Sequence, residues 1–149
     1  MKPIQATLTM PPSSNHIYFN IHGGGRGMTG EAKSWNKKAV IEIINQNRLQ
    51  FAKPLDPNEK YDLTLHFYFE EIENKGWSER FVKGKHAGER KAENRWKRMD
   101  LSNRIKLLED SIKDAVGVDD SCTFIHTLAK DCDPQNPRVE VTLCLAVGL

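Results

Sequence analysis

Residues 63–69 alternate strictly between apolar and polar side chains, and this alternation constrains the fold more than any other stretch of the sequence. The apolar positions are Leu63, Leu65, Phe67 and Phe69. Because successive side chains of a β-strand point to opposite faces of the sheet, the pattern predicts a half-buried strand. The same alternation runs from Ile4 to Met10, and Pro11-Pro12 ends it because proline cannot donate a sheet hydrogen bond. The chain therefore contains at least two half-buried strands.

Two other segments follow the period of an amphipathic helix. The first is predicted to begin with Thr29 as N-cap and Glu31 in the first turn, and to run to about Arg48. The second is predicted to begin with Asp100 as N-cap and to end at Gly117. Its apolar stripe consists of Leu101, Ile105, Leu108, Ile112 and Ala115.

The remaining segments decide the predicted fold class. Residues 123–130 and 139–145 are predicted strands joined by a turn at 133–137, whereas residues 13–28, with three successive glycines, are expected to form a flexible loop. A chain of 149 residues has the size of one domain. We therefore expect a small α+β fold over residues 1–149, with a mixed or antiparallel sheet of about four strands and two main helices.

Composition excludes several classes of protein. No apolar run is long enough to cross a bilayer, and the N-terminal residues lack the layout of a secretory signal, so a soluble cytoplasmic protein with no membrane partner is expected. The three cysteines form no C-x-x-C pair, and the five histidines are scattered. We expect the cysteines to be reduced packing residues and expect no zinc site.

The net charge of +2 conceals a strongly basic middle segment. Residues 75–106 carry 11 cations and 4 acids, whereas residues 107–149 carry 3 cations and 8 acids. The apolar period disappears at about 71–97, where Trp77, Phe81 and Trp96 are interspersed among the charges. Cations can meet phosphates and rings can stack on bases, so this basic loop favours nucleic-acid binding. The alternatives are a solvated charged loop, or rings such as Trp96 that pin the loop to the core.

A polar stripe on the second helix carries the candidate chemistry. Its residues, spaced by three, three and four, are Asp100, Asn103, Lys106 and Asp110. A purely structural explanation of the stripe is that Asp100 only caps the helix and Lys106 only pairs with Asp110. However, Asp100 stands among cations, where a carboxylate can hold a divalent metal ion beside a phosphodiester. Asp119 and Asp120 add oxygen ligands of the kind that Mg²⁺ requires.

These motifs resemble the RusA-type Holliday-junction resolvase family. The family pattern has a proline-rich end to the first strand, a helix entered near S-x-E, an R-x-D-x-D-N-x-x-K segment at the second helix and a later D-D pair. The counterparts here are Pro11-Pro12-Ser13, Thr29 with Glu31, residues 98–106, and Asp119-Asp120. The resemblance spans about residues 8–145, with residues 71–96 similar to an expanded form of a shorter family loop.

The resemblance implies a nucleoid-associated homodimer that depends on Mg²⁺, or alternatively Mn²⁺, and nicks four-way or branched DNA in recombination and repair. By resemblance, Asp100 and Asp120 would be catalytic metal ligands with Asp119 beside them. Lys106 would lie near the scissile phosphate, and Asn103 would be an orienting amide. The expected DNA contacts are Arg26, Arg95, Lys97, Arg98 and Arg104.

Ser102 departs from the family pattern, because the family has an aspartate at this position. Either Asp119, Asp110 or Glu109 supplies the missing ligand, or the activity is weak or lost. Two alternatives stay open. One is a protein of the same fold that binds branched DNA without cleaving it. The other is a nucleic-acid-binding or interaction protein of different mechanism, in which Asp119-Asp120 is only a turn.

The spacing of the carboxylates adds a geometric expectation. A helix over residues 101–115 spans roughly 22 Å, and the chain from Gly117 to Asp120 returns at most about 14 Å. Asp100 and Asp120 of one chain are therefore expected to be too far apart to share a metal ion. The site then requires a helix that ends early or bends, or two protomers packed antiparallel that share it.

Overall fold

The computed structural model describes residues 1–50, 54–74, 77–90, 95–97 and 99–148. Within these residues the strands are β1 (Ile4–Thr9), β2 (Tyr18–Asn20), β3 (Arg26–Met28), β4 (Tyr61–Phe69), β5 (Thr123–Cys132) and β6 (Arg138–Leu145). The α-helices are α1 (Gly30–Gln46) and α2 (Ser102–Val116), and short 3₁₀ turns occupy Ser14–His16 and Asp120–Cys122. The α+β class is confirmed. Neither helix is long and apolar enough to span a membrane.

The main sheet has the strand order β1-β6-β4-β5 and is mixed. Strand β6 runs antiparallel to both β1 and β4, whereas β5 runs parallel to β4. Parallel neighbours need a long crossover connection, and the basic loop together with α2 supplies it. The turn 133–137 then passes the carboxyl end of β4, where Asp133 N–H donates to the Phe69 carbonyl over 2.8 Å.

The core confirms the alternation read from the sequence. Every odd position of β4 is buried, and both Leu65 and Phe67 are fully inaccessible. Side chains of α1 and α2, among them Ile43 and Leu108, pack into the same cluster. Both helices therefore cover one face of the sheet. The even positions of β4, which are only half-buried, lie on the opposite face.

The predicted flexible loop at 13–28 is wrong for most of its length. Strands β2 and β3 form an antiparallel hairpin, and Gly23, Gly24 and Gly25 turn the chain between them with positive φ. The hairpin is anchored by Ile17, which is fully buried in a second small core cluster. Strands of three residues are too short to reveal a period of two, which is why the pattern did not show them.

The helix boundaries agree with the sequence within two residues. Thr29 is the N-cap of α1, and its hydroxyl oxygen accepts from Ala32 N–H at 3.2 Å. Gly117 ends α2 with φ 77°, a left-handed conformation that glycine adopts without strain. The N-cap of α2 is Leu101, one residue after the predicted Asp100, although the Asp100 side chain still bonds to the first helical residue.

The basic loop (residues 71–97) is tied together at its base. Lys97 N–H donates to the Ile72 carbonyl and Asn74 N–H to the Arg95 carbonyl, both over 2.9 Å. Glu73 and Trp96 face each other in this antiparallel bridge. We call residues 72–74 and 95–97 the neck of the loop. Its fixed geometry places Trp96 and Lys97 beside the start of α2.

Candidate functional site

An open cleft lies between the end of β4 and the start of α2. Its volume is about 400 Å³, and its lining residues are Ser13, Ser14, Asn15, Phe69, Met99, Asp100 and Arg104. Strand β4 supplies Phe69, the segment after β1 supplies the serines, and the residues before α2 supply Met99 and Asp100. We call this feature the Asp100 cleft.

Asp100 presents an ionised carboxylate in this cleft. Its Oδ1 accepts from Ser102 N–H at 2.9 Å and from the Ser102 hydroxyl at 2.7 Å. The hydroxyl and backbone hydrogen bonds from Ser102 hold the pKa of Asp100 below its usual value. Both bonds use Oδ1, and the side chain is exposed. Asp100 is thus oriented by Ser102, and neither of these two bonds uses its Oδ2.

Asn103 and Arg104 fix the opposite wall of the cleft. Asn103 Nδ2 donates to the Ser14 carbonyl and Arg104 Nε to the Pro12 carbonyl, both over 2.9 Å. The Arg104 guanidinium lies 5.4 Å from the centre of the Phe69 ring, and burial lowers the pKa of Arg104. Arg104, a predicted DNA contact, is therefore partly a structural residue. Asn103 likewise orients the cleft wall.

Lys106 and Asp110 continue the polar stripe and meet β2. Lys106 Nζ lies 3.8 Å from Asp110 Oδ1, and Tyr18 Oη donates to Asp110 Oδ2 over 3.2 Å. Burial, and then the negative charge of Asp110, raise the pKa of Tyr18 to about 12. The Lys106 side chain is more than half exposed. It can therefore reach a bound anion beside α2.

Asp119 and Asp120 lie beyond the other end of α2. Asp119 caps the 3₁₀ turn by accepting from Ser121 N–H at 3.2 Å, and it pairs with Lys113. The Lys113 ammonium and the Ser121 N–H hold the pKa of Asp119 far below its usual value. Asp120 is exposed in the first position of the turn. Both carboxylates immediately precede β5.

The structure separates Asp100 from this acidic pair within one chain. Asp100 lies beside Phe69 at the carboxyl end of β4, whereas β5 begins at Thr123, which pairs with Tyr61 at the amino end. Those ends are roughly 26 Å apart for a nine-residue strand, and the 15 residues of α2 span about 22 Å. No group of three acidic, histidine or cysteine side chains that could hold a metal ion occurs among the described residues. One chain by itself therefore does not assemble the predicted metal ligands.

The comparison with protein families decides the relationship. The model of the family described as endodeoxyribonuclease RusA matches residues 9–144. The chain belongs to the RusA endodeoxyribonuclease family. No curated protein matches the chain at a significant level. The matched range agrees with the resemblance read from the motifs and extends from the last residue of β1 into β6.

The predicted DNA-binding cations of this RusA-family chain are dispersed. Arg26 is exposed on β3, and Arg95 stacks 4.5 Å from the centre of the Trp96 ring while lying 3.8 Å from Glu73. Lys97 pairs with Glu71 across the base of the basic loop. Arg98 lies outside the described residues. Both described cations of the neck are thus paired with acids, Arg95 with Glu73 and Lys97 with Glu71.

The residues offered as replacements for the missing aspartate already have partners. Asp119 pairs with Lys113, Asp110 accepts from Tyr18, and Glu109 Oε1 lies 2.6 Å from His126 Nε2. Recruiting any of them to a metal ion would require breaking or sharing that contact. Ser102 stands at the position of the family aspartate but has no carboxylate. Its N–H and hydroxyl donate hydrogen bonds to Asp100 instead.

Sequence reasoning missed Ser14, which joins the two walls of the cleft. Its hydroxyl donates to the Asp100 carbonyl, its carbonyl accepts from Asn103, and the residue is buried. A serine after two prolines in an irregular segment carries no periodic signal. A buried serine in such a segment can be recognised only from tertiary contacts.

Proposed function

We propose that this protein is a structure-specific endodeoxyribonuclease that nicks Holliday junctions and other branched DNA in recombination and repair. The observation that carries the proposal is the RusA-family match over residues 9–144, combined with an ionised carboxylate in an open cleft beside a basic loop. A phosphodiester is anionic, so cleavage needs both an activated water and neutralisation of charge. Asp100 in the cleft would hold a metal ion that activates the water, and the cations of the basic loop would neutralise the phosphate charge.

In the proposed mechanism Asp100 holds the metal, Lys106 stabilises negative charge on the scissile phosphate, and Asn103 keeps the cleft wall in place. A bound Mg²⁺, or Mn²⁺, would supply Lewis acidity and a water of lowered pKa. Ser102 keeps Asp100 ionised and oriented for this role. The proposed contacts to DNA phosphates come from Arg26, Arg95, Lys97, Arg98 and Arg104. Arg104 is half-buried, which limits its reach toward a phosphate.

We infer that the metal site is completed by a second protomer. Because α2 keeps its full length of 15 residues, an early end of the helix does not bring Asp120 to Asp100. Two copies with their α2 helices antiparallel about a two-fold axis would place Asp120 of each beside Asp100 of the other. A symmetric pair of sites also suits a four-way junction, whose opposing strands are equivalent.

The edge strand β5 supports this homodimer. Leu128, which pairs with Leu65 on the face that carries α2, is 47% exposed, and Phe124, at the register shift near the start of β5, is 56% exposed. Strand β5 is also an unpaired edge of the main sheet, and long edges that expose apolar residues tend to be covered by another chain. A partner seated against β5 would lie next to α2, as the shared site requires.

The direct test is a four-way junction labelled on each strand and incubated with the protein, with and without Mg²⁺. Magnesium-dependent symmetric nicks, together with an intact linear duplex, are the expected result. Cleavage of the duplex at the same rate would contradict structure specificity. The absence of nicks with either Mg²⁺ or Mn²⁺ would contradict the nuclease.

Ser102 favours a second candidate function, which is binding of branched DNA without efficient cleavage. Its hydroxyl is neutral and is already donated to Asp100, so it is a weaker magnesium ligand than the family aspartate. Tight junction binding at moderate salt without nicking would identify this function. The same labelled junctions measure both properties.

A further inference from the structure

A second pocket lies at the neck of the basic loop. Its volume is about 360 Å³, and it is lined by Ile72, Trp96, Lys97, Met99 and Lys130. Ile72, Met99 and the indole give it an apolar and aromatic interior, while Lys130 and Lys97, the latter paired with Glu71, contribute ammonium groups. We call this feature the neck pocket. It is within the range of roughly 300–1,000 Å³ typical of sites for small organic groups.

The aromatic wall of the neck pocket is held in place by the backbone. Trp96 sits in the bridge opposite Glu73, and the hydrogen bond from Lys97 N–H to the Ile72 carbonyl closes the bridge on the pocket side. The Arg95 guanidinium stacks on the indole, as its 4.5 Å distance from the ring indicates. Trp96 as a whole residue nevertheless remains 46% exposed. A flat ligand can therefore stack on a ring that is already oriented.

The neck pocket adjoins the Asp100 cleft, because Met99 lines both. A strand that placed a phosphate at Asp100 would therefore carry its neighbouring nucleotide past Met99. The two lysines suit the anionic backbone of that strand, and the apolar interior suits a base but not a phosphate. Charge and ring chemistry thus point to the same ligand class.

We propose that the neck pocket receives one unstacked nucleobase from the branch point of the DNA, stacked on Trp96. This inference rests on the proposed function, because it assigns a specific contact to a branched substrate. A base at a branch is stacked and paired less securely than a base inside a duplex, so extruding it costs less. The pocket would therefore contribute to preference for junctions over linear DNA.

The test uses a four-way junction in which thymines at the branch point are replaced one at a time by 5-iodouracil, without divalent metal so that no strand is cut. Irradiation cross-links this base to an aromatic ring that stacks on it, and peptide mass spectrometry locates the linkage. We expect one branch-point position to link to Trp96. A linear duplex with the same substitution should give no linkage at Trp96.

Variants supply an independent measurement. Trp96→Ala should weaken junction binding at least about 5-fold, the lower end of the effect of removing a ring that stacks on a base. Linear duplex binding should stay unchanged, and Trp96→Phe should restore most of the junction affinity. The matched control is Trp77→Ala, which removes another half-exposed tryptophan of the same loop that does not line the pocket.

Each outcome decides the inference. Junction binding without a linkage at Trp96, or an equal loss in Trp77→Ala, would overturn the neck pocket while leaving the proposed function intact. A parent protein that neither prefers nor nicks junctions would overturn the proposed function and the inference with it. If circular dichroism shows that Trp96→Ala is misfolded, the cross-link in the parent and the junction affinity of Trp96→Phe still test whether a base stacks on Trp96.

Discussion

At the scale of single residues, the cleft depends on short-range hydrogen bonds around Asp100. Ser102 donates twice to one carboxylate oxygen, and Ser14 donates to the Asp100 carbonyl. The sequence predicted Asp100 as a carboxylate at the start of a helix, and that placement is close to the one observed. It did not predict Ser14, because that contact joins positions 86 residues apart. The catalytic roles themselves stay predictions.

Substitution at Asp100 and Ser102 tests the proposed metal site. Asp100→Asn should reduce nicking by roughly 100-fold or more, and change the free energy of unfolding by no more than about 0.5 kcal/mol because the residue is exposed. The Asn oxygen can still accept from Ser102 N–H. Ser102→Asp should tighten Mg²⁺ binding and raise the nicking rate. Nicking rates across a magnesium titration measure both effects.

The control for Asp100→Asn is Glu42→Gln, which neutralises a carboxylate of α1 that pairs with Lys38 and belongs neither to the cleft nor to the Asp119–Asp120 turn. It should nick like the parent. Unchanged nicking in Asp100→Asn would show that this carboxylate does not hold the metal. If the parent is fully active and Ser102→Asp changes nothing, another acid has taken the place of the family ligand, and single substitutions of Glu109, Asp110 and Asp119 would identify it.

Tyr18 gives a prediction at high pH. Its pKa is raised to about 12 in the folded protein, so the neutral phenol is favoured there relative to the unfolded chain. A raised folded-state pKa contributes stability that is complete below the unfolded value of about 10. That contribution is lost as pH rises from about 10 through 12. Between these values the parent should lose unfolding free energy faster than Tyr18→Phe.

Denaturant titration at several pH values measures this difference. Asp110→Asn provides a second check, because removing the negative charge should lower the pKa of Tyr18 only partway, since burial is the larger cause. Parallel pH dependence in the parent and Tyr18→Phe would contradict the raised pKa of Tyr18, and an unchanged pKa of Tyr18 in Asp110→Asn would contradict its contact with Asp110.

At the scale of elements, local periodicity predicted the long helices and strands and failed for the short ones. Strand β4 and helix α2 were recognised because nine and 15 residues are enough to show a period. The β2–β3 hairpin was missed because each strand has three residues. The parallel pairing of β4 with β5 was not predictable from local pattern, since it depends on α2 crossing the sheet.

The basic loop is the element that carries the DNA-affinity prediction. Charge reversal by Lys97→Glu and Arg98→Glu should weaken binding to junctions and linear duplexes alike, because phosphate contacts carry no sequence information. The slope of log affinity against log salt should fall by about one for each cation that contacts a phosphate. Filter binding or fluorescence anisotropy at several salt concentrations measures the slope.

The matched control reverses two exposed lysines of α1, Lys33→Glu and Lys37→Glu, which alter net charge equally. An equal effect in the control would attribute the loss to net charge and not to the neck. Unchanged affinity and slope in the loop variant would mean that Lys97 and Arg98 face solvent, which is the alternative that charge composition alone left open.

Across the fold, the decisive feature is that Asp100 and Asp120 lie at opposite ends of α2 and of β4. Asp100 lies at the carboxyl end of β4 and Asp120 precedes the strand that starts beside its amino end. The sequence predicted this separation from helix length, and the full-length helix agrees with it. In the proposed function, a site that uses both carboxylates would therefore need two chains.

Mixing two inactive variants tests the shared site. In the proposed dimer one site combines Asp100 of one chain with Asp120 of the other, so a heterodimer of Asp100→Asn and Asp120→Asn contains one wholly intact site and one doubly substituted site. Equal mixing should restore about a quarter of the parental sites through random exchange of subunits. The restored enzyme should nick one strand without the paired cut. If each chain builds its own site, no mixture regains activity.

A variant of the β5 surface tests whether recovery by mixing requires contact between subunits as well as intact carboxylates. Adding Phe124→Asp and Leu128→Asp to both chains should yield monomers by light scattering and prevent recovery, since charges would replace two exposed apolar side chains of the edge strand β5. Leu49→Asp, which alters an exposed leucine in the turn after α1, should leave both properties unchanged. Recovery that survives the loss of the dimer would contradict the shared site, and a dimer that survives both substitutions would place the interface away from β5.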